Sequence, residues 1–316
     1  MSRMIRKFGG LLLTLVIASF VIFAAMFAAP GDPVTFLIGS SEDVTPERIA
    51  SVRAQYHLDE PLLAQYWHWA SGVLTGNLGE SFKYHQPVST ILASRVPVTL
   101  GLVGYAAVLM CIFGIGLGII AAVRRRRTAD TVIVGGTTLA ASIPAFVLGI
   151  ALVAVFAVKL QWFPVAGAGS GGLSRLHALT LPAITLSLGA LAIISRVTRQ
   201  SMVEQFDSEH VEAARATGLP ERFIVRDHVL RGAWGPIITM VALVTASMIA
   251  GTVAVETVFG ISGIGSLLVE GINTHDFPLV QAVLLFMVVA YMAVTTIVDV
   301  CLPLLDPRIK EQAVTS

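Results

Sequence analysis

The chain has 316 residues, 55% of them hydrophobic and only 13% charged, whereas an ordinary soluble domain carries about 25% charged residues; water is therefore not the main solvent of this fold, and no separate soluble domain is visible. A net charge of +1 argues against broad electrostatic capture of nucleic acid. The two cysteines, Cys111 and Cys301, lie in apolar runs and read as small hydrophobes, not as a disulfide framework or a zinc site.

A helix crossing a hydrocarbon core of about 30 Å needs about 20 apolar residues. Six segments meet or approach that length: 8–29, 98–123, 131–158, 179–195, 236–258 and 281–305. The expected fold is an all-α membrane protein with six transmembrane helices in one domain over 1–316. The first span follows Arg3, Arg6 and Lys7 and ends near Ala28 and Ala29, which resembles a secretory signal. Its apolar region is too long for a signal core, and it reads as an uncleaved span over 1–29.

Orientation follows from the placement of Lys and Arg in the loops. With the N-terminus inside, the cytoplasmic side receives Arg3, Arg6, Lys7, Arg124, Arg125, Arg126, Arg127, Arg196, Arg199, Arg215, Arg222, Arg226, Arg231, Arg308 and Lys310, which is 15 of the 21 basic residues. Both termini are then cytoplasmic, with a tail over 306–316. Two extramembrane segments are large enough to meet partners, an external one over 30–97 and a cytoplasmic one over 196–235.

In the external segment, Thr45-Pro46-Glu47 has the marks of a helix start: a capping hydroxyl, proline in the first turn and an acid facing the dipole. Ile49, Val52 and Tyr56 follow at helical spacing. A second helix is expected after Pro61, where Leu62, Leu63, Tyr66, Trp67, Trp69, Val73 and Leu74 combine aromatic and aliphatic residues, as in a helix lying among lipid headgroups. Either helix could pack on the bundle or dock an external partner. In spans two to four, over 98–195, Gly114, Gly116, Gly118, Gly135, Gly136 and Gly149 suit close helix approach, and Pro144 interrupts the third span.

The cytoplasmic segment is evenly charged and is not a polybasic lipid anchor. Residues 212–217 favour helix, Gly218 supplies a permissive backbone at its end, and Pro220 suits the first turn of a second helix over 220–230. Such a hairpin, attached at both ends to rigid helices, could transmit force; it could equally be a solvated connector.

Spans five and six occupy 236–305. Glu256, near the outer end of the fifth, and Asp299, near the inner end of the sixth, are the ionisable residues that approach the membrane interior; both read as pairing at an interface or between subunits, in preference to a role in meeting substrate. Gly260-Ile261-Ser262-Gly263 matches the GxSG pattern of an intramembrane serine protease, but no span holds the histidine such a serine needs. Gly260, Gly263 and Gly265 instead suggest a tight turn at the external mouth. No glycine-lysine pair exists to build a P-loop, and no Cys and His cluster has metal-ligand spacing. Few central charges also disfavour an ion-coupled secondary transporter, which stays as the alternative class.

Glu212-Ala213-Ala214 with Gly218 resembles the EAA-x3-G signature of binding-protein-dependent ABC importer permeases. Ala29-Pro30-Gly31-Asp32-Pro33, Asn77-Leu78-Gly79-Glu80-Ser81-Phe82, Val255-Glu256-Thr257-Val258-Phe259 and Leu305-Asp306-Pro307-Arg308-Ile309 extend the resemblance over the whole chain. They are similar to the B-type subunit of the dipeptide, oligopeptide and nickel group. The resemblance implies a type I ABC importer transmembrane-domain fold in the cytoplasmic membrane, with no enzymatic activity and no cofactor in this chain. Implied partners are a second, homologous permease in a heterodimer, two ATPase subunits carrying ATP and Mg, an external substrate-binding protein and membrane lipid. Glu212, Ala213, Ala214 and Gly218 would shape the coupling hairpin, the alanines permitting close approach, while residues 219–226, including Leu219, Pro220, Glu221, Arg222 and Arg226, would face the ATPase. Glu256, Phe259, Gly260, Gly263 and Gly265 are candidates for an external gate or turn. The signature's later Leu-Pro is absent, since this chain has Leu230-Arg231. The implied substrates are peptides or nickel, and the lack of a histidine or methionine cluster in the spans points towards peptides.

Overall fold

The computed structural model describes residues 2–28, 46, 50, 53 and 59–305. Its helices are α1 (Ser2–Ala28), α2 (Leu62–Leu74), α3 (Val88–Leu109), α4 (Gly116–Val123), α5 (Thr128–Ser142), α6 (Ala145–Leu152), α7 (Gly172–Phe206), α8 (Glu209–Ala216), α9 (Glu221–Phe223), α10 (Leu230–Val258), α11 (Ile264–Asn273) and α12 (Phe277–Leu305). Two short antiparallel strands, β1 (Glu80–Ser81) and β2 (Gln86–Pro87), pair Glu80 with Pro87 and Ser81 with Gln86. Three π-helical turns occur: Met110–Ile115 joins α3 to α4, Val153–Lys159 extends α6, and Ile224–Val229 joins α9 to α10.

Among the described residues four helical runs are long and apolar enough to cross a membrane: Val88–Val123, Gly172–Phe206, Glu221–Val258 and Phe277–Ile297. The pair Thr128–Ser142 and Ala145–Lys159 qualifies only when taken together, and its halves meet at 94°. At 27 residues, α1 extends about 40 Å at the helical rise of about 1.5 Å per residue, with its apolar stretch at Gly9–Ala25. These six runs follow the order of the six expected spans.

Their bounds differ from the sequence expectation for identifiable reasons. The second run begins at Val88, not 98, because Pro97 lies inside α3; a proline removes one helical hydrogen bond, and a membrane helix can re-satisfy the freed group. The fourth run extends from Gly172 to Phe206, well past 179–195, because the helix continues through Arg175 on one side and Arg196 and Arg199 on the other, the charges that bound the apolar signal. The third is two helices hinged at Ile143 and Pro144, where Ile143 is extended. The helix expected over 220–230 is not separate: helix runs from Glu221 to Val258, through the π turn at Ile224–Val229 and past Pro236, which lies inside α10. α11 and the β1–β2 hairpin are not foreseen at all. Ile49, Val52 and Tyr56, which carry the helix expected after Thr45, and the side chain of Asp299 lie outside the described residues.

The described residues form two compact units, those within Met1–Pro97 and Ser266–Ala290 and those within Val98–Gly265 and Tyr291–Ser316. In the first, α2 packs on α1: the Ser19 and Tyr66 hydroxyls share a hydrogen bond of 2.8 Å, and the Phe20 and Phe23 rings meet Tyr66 edge-on. Trp67 and Leu63 point away and are exposed, so only one face of α2 is committed to the bundle. The β1–β2 loop is fixed by Asp276. This fully buried carboxylate accepts from the buried Ser81 hydroxyl and, at 3.2 Å, from the Lys83 amide. Lys83 also pairs with Glu270 on α11.

The second unit is built around α7, which is lined on successive faces by α4, α5, α6 and α10. Small residues set the spacing. A Cβ at Gly118 would lie 2.5 Å from the Thr198 Cβ and 2.7 Å from the Ser195 carbonyl oxygen, so α4 and α7 touch backbone to side chain. Gly114 and Gly149 make similar approaches, whereas Gly116, Gly135 and Gly136 face open space.

Candidate functional site

The elbow between α7 and α10 is built from the core outward. Val211 and Ala214 on α8 are buried with Met202 and Phe206 of α7, Ile224 and Val229 of the π turn, Ala233 and Ile237 of α10, and Ala122 of α4. One apolar cluster therefore fixes the elbow to three long helices. The i, i+3 spacing of Val211 and Ala214 places both on one face of α8, which leaves Glu212, Ala213 and Arg215 exposed. The small size of Ala214 thus lets α8 pack closely within this chain.

α8 ends where Thr217 N–H donates to the Ala213 carbonyl and Gly218 N–H to the Arg215 carbonyl, at 3.2 and 3.0 Å. Gly218 then takes φ +81°, with nothing within 4 Å of where a Cβ would stand. Glycine is required here by backbone conformation and not by crowding. Arg215 bridges to Glu221 at 2.8 Å across the turn, closing the elbow with a side-chain clasp.

Of residues 219–226, Leu219, Pro220, Glu221, Arg222, Phe223 and Arg226 are exposed, while Ile224 is fully buried. The tip therefore presents two large apolar side chains, Leu219 and Phe223, each 42% exposed. The Arg222 guanidinium lies over the Phe223 ring at 5.0 Å.

Ion pairs foreseen only as loop charge brace the base of the elbow. Arg125 grips Asp207 with two hydrogen bonds of 2.9 and 3.0 Å, and Arg199 grips Asp130 at 2.6 and 2.7 Å. The Arg125 hydrogen bonds hold the Asp207 carboxyl below its ordinary range. The loop after α4 and the end of α7 are thereby tied together at the same end of the unit as the elbow. In the sequence the signal was the run of four arginines beside two isolated aspartates, but which arginine meets which acid depends on helix rotation.

The second candidate group gathers at the opposite end of α10. Sequence alone points Glu256 to pairing at an interface or between subunits; its carboxylate is instead fully buried within its own chain. It accepts a 2.6 Å hydrogen bond from the Thr99 hydroxyl, whose oxygen in turn accepts from the Ile264 N–H at 2.8 Å. Gly263 leaves room for this carboxylate, since a Cβ there would stand 2.2 Å from it. A Cβ at Gly265 would meet the Val253 backbone at 2.6 Å, and Gly260 turns with φ +56°. Phe259 is buried and its carbonyl accepts from Gly167 N–H at 3.0 Å. Glu256, Phe259, Gly260, Gly263 and Gly265 therefore do meet in one tight turn, and Thr99 is the member that sequence reading misses. Among the described residues no group of three or more His, Cys, Asp or Glu side chains could hold a metal ion.

Comparison with known proteins gives the family. Residues 114–311 match the family described as binding-protein-dependent transport system inner membrane component, and residues 1–103 match the N-terminal membrane component of the same systems. The glutathione transport system permease protein GsiC of Escherichia coli K12 is 36% identical over 310 residues, covering 98% of this chain and 99% of that protein. GsiC of Salmonella typhi is likewise 36% identical over 313 residues, with the same coverage. In three dimensions the chain resembles an inward-facing structure of the MetNI methionine ABC transporter, with a TM-score of 0.59 and 17% identity, over 68% of this chain and 96% of that one.

Proposed function

Because the chain belongs to the family of binding-protein-dependent transport system inner membrane components, and has the type I ABC importer transmembrane-domain fold, we propose that it forms half of a peptide translocation pathway driven through its elbow. The permease assignment itself follows from the family. The further reading is that ATPase subunits grip the elbow tip from the cytoplasm, a second permease completes the pathway, and an external binding protein delivers a small peptide. Its full-length similarity to glutathione permeases supports a short peptide as substrate.

The observation that carries the reading is mechanical. An elbow presenting Leu219, Phe223 and Arg222 is buried at its root in the same cluster as α4, α7 and α10, and its second arm is continuous with a 38-residue helix, Glu221–Val258. A partner that displaces the tip must therefore tilt that helix. The turn at Glu256 and Phe259, at the far end of the same helix, would then open or close the external side. ATP and Mg act in the partner subunits. Each state of the pathway is favoured only by differential contacts with ATP-bound and free ATPases.

Replacement of Gly218 by valine tests this. The expected result is membrane insertion at the normal level, with peptide uptake abolished and recovery of the ATPase subunits on co-purification reduced. Normal uptake in that variant, or uptake of radiolabelled nickel in place of peptide by the intact system, would contradict the reading.

A further inference from the structure

α7 carries two arginines one turn apart that reach in opposite directions. Arg199 is neutralised by Asp130, in the first turn of α5. Arg196 instead donates from Nη2 to the Thr138 hydroxyl at 3.2 Å. Thr138 lies ten residues into α5, about 15 Å from its start at about 1.5 Å per residue. The four arginines at 124–127 precede that start and mark the membrane surface, so the Arg196 guanidinium, counted in the sequence with the cytoplasmic loop charges, sits instead about halfway through a core of about 30 Å. An arginine escaping to the surface would extend the other way.

The charge at that depth is uncompensated. Of the five donors of a guanidinium, one goes to Thr138; no carboxylate pairs with Arg196 among the described residues. On α5, Thr138 and its neighbours Gly135, Gly136 and Ser142 are exposed, and both glycines face open space. The patch ends at the 94° break between α5 and α6. A guanidinium facing hydrocarbon midway through a bilayer is strongly unfavourable, and such residues face a polar cavity or a partner charge.

We propose that Arg196, steadied by Thr138, is an anion-binding point in the translocation pathway that receives a carboxylate of the transported peptide. The proposal rests on the peptide-permease reading given above. A guanidinium binds a carboxylate through paired, charge-assisted hydrogen bonds, and the donors not used by Thr138 supply them. Specificity at this point would be for the acid group common to all free peptides, which suits a pathway that leaves side-chain selection to another subunit.

The test uses the whole importer reconstituted in vesicles, with second permease, ATPases and binding protein. It compares wild type, Arg196→Gln and Arg196→Lys on one peptide as the free acid and as its C-terminal amide. Each rate is normalised to the amount of intact assembly and expressed relative to wild type with the same peptide, so that the binding protein's own preference cancels. Losing a charge-assisted hydrogen bond predicts a fall of about tenfold or more in free-acid uptake by Arg196→Gln. Amide uptake should fall by less than about twofold, and Arg196→Lys should recover much of the free-acid rate because it restores the charge. Equal losses for acid and amide, no loss for either, or failure of Arg196→Gln to assemble with the second permease would each overturn the proposal, the last by assigning Arg196 to a partner carboxylate. A wild-type system that carries neither peptide would instead overturn the peptide-permease reading on which it rests.

Discussion

Gly218 and Gly263 are both glycines at turns, yet they are glycines for different reasons, and substitutions separate those reasons. At Gly218 the backbone is left-handed and the space around it is empty. Alanine there should cost about 1–2 kcal/mol from conformation alone, and asparagine less, because it tolerates that region. At Gly263 a methyl group would strike the buried Glu256 carboxylate, so Gly263→Ala should lower the thermal unfolding midpoint in detergent substantially. Gly135→Ala, which meets nothing within 4 Å, should leave it unchanged. The neighbouring Thr99→Val removes a donor to that carboxylate and should cost about 1.5–3 kcal/mol, whereas Thr99→Ser, which keeps the hydroxyl, should cost far less. The end of the helical run at 212–217, with Pro220 just after it, pointed to a permissive backbone at Gly218, which does take a positive φ. Thr99 stayed invisible because it lies 157 positions from Glu256, and only helix packing brings the two together.

Among the elements, the elbow depends on apolar packing more than on its surface charges. The clasp between Arg215 and Glu221 is exposed on both sides and should contribute about 1 kcal/mol or less, so Arg215→Ala should leave the elbow folded. Val211→Ala, which hollows the buried root, should release it, seen as faster amide exchange across α8. The Arg125–Asp207 brace adds a pH dependence of definite sign. Asp207 has its pKa lowered by Arg125, so its contribution is fully present above the ordinary carboxylate range and is lost as pH falls through the depressed value. Amide exchange at the α7–α8 junction should therefore rise only on acidification below about pH 4, and Arg125→Ala should remove that step. Element existence was largely legible, because long apolar runs leave few alternatives. Element ends were not. Pro97 looked like a boundary and is absorbed within α3; Pro144 does break its span, through 94°. A proline alone does not reveal which outcome tertiary contacts will impose. Pro236 is likewise absorbed, inside the helix that runs from the elbow tip past Glu256.

For the molecule as a whole, the second unit joins an exposed elbow tip, a continuous long helix and a closed turn at that helix's far end. Family membership and full-length similarity fix the permease class, and under the proposed function the elbow is where an energy-converting partner acts. The most direct measurement places a single cysteine at Leu219 or Arg222, in a chain whose Cys111 and Cys301 have been replaced, and crosslinks it in the assembled, transporting complex. The account predicts an adduct with an ATPase subunit whose yield changes between nucleotide-free and ATP-bound states. An assembly that transports substrate while neither position ever crosslinks to an ATPase subunit would contradict it.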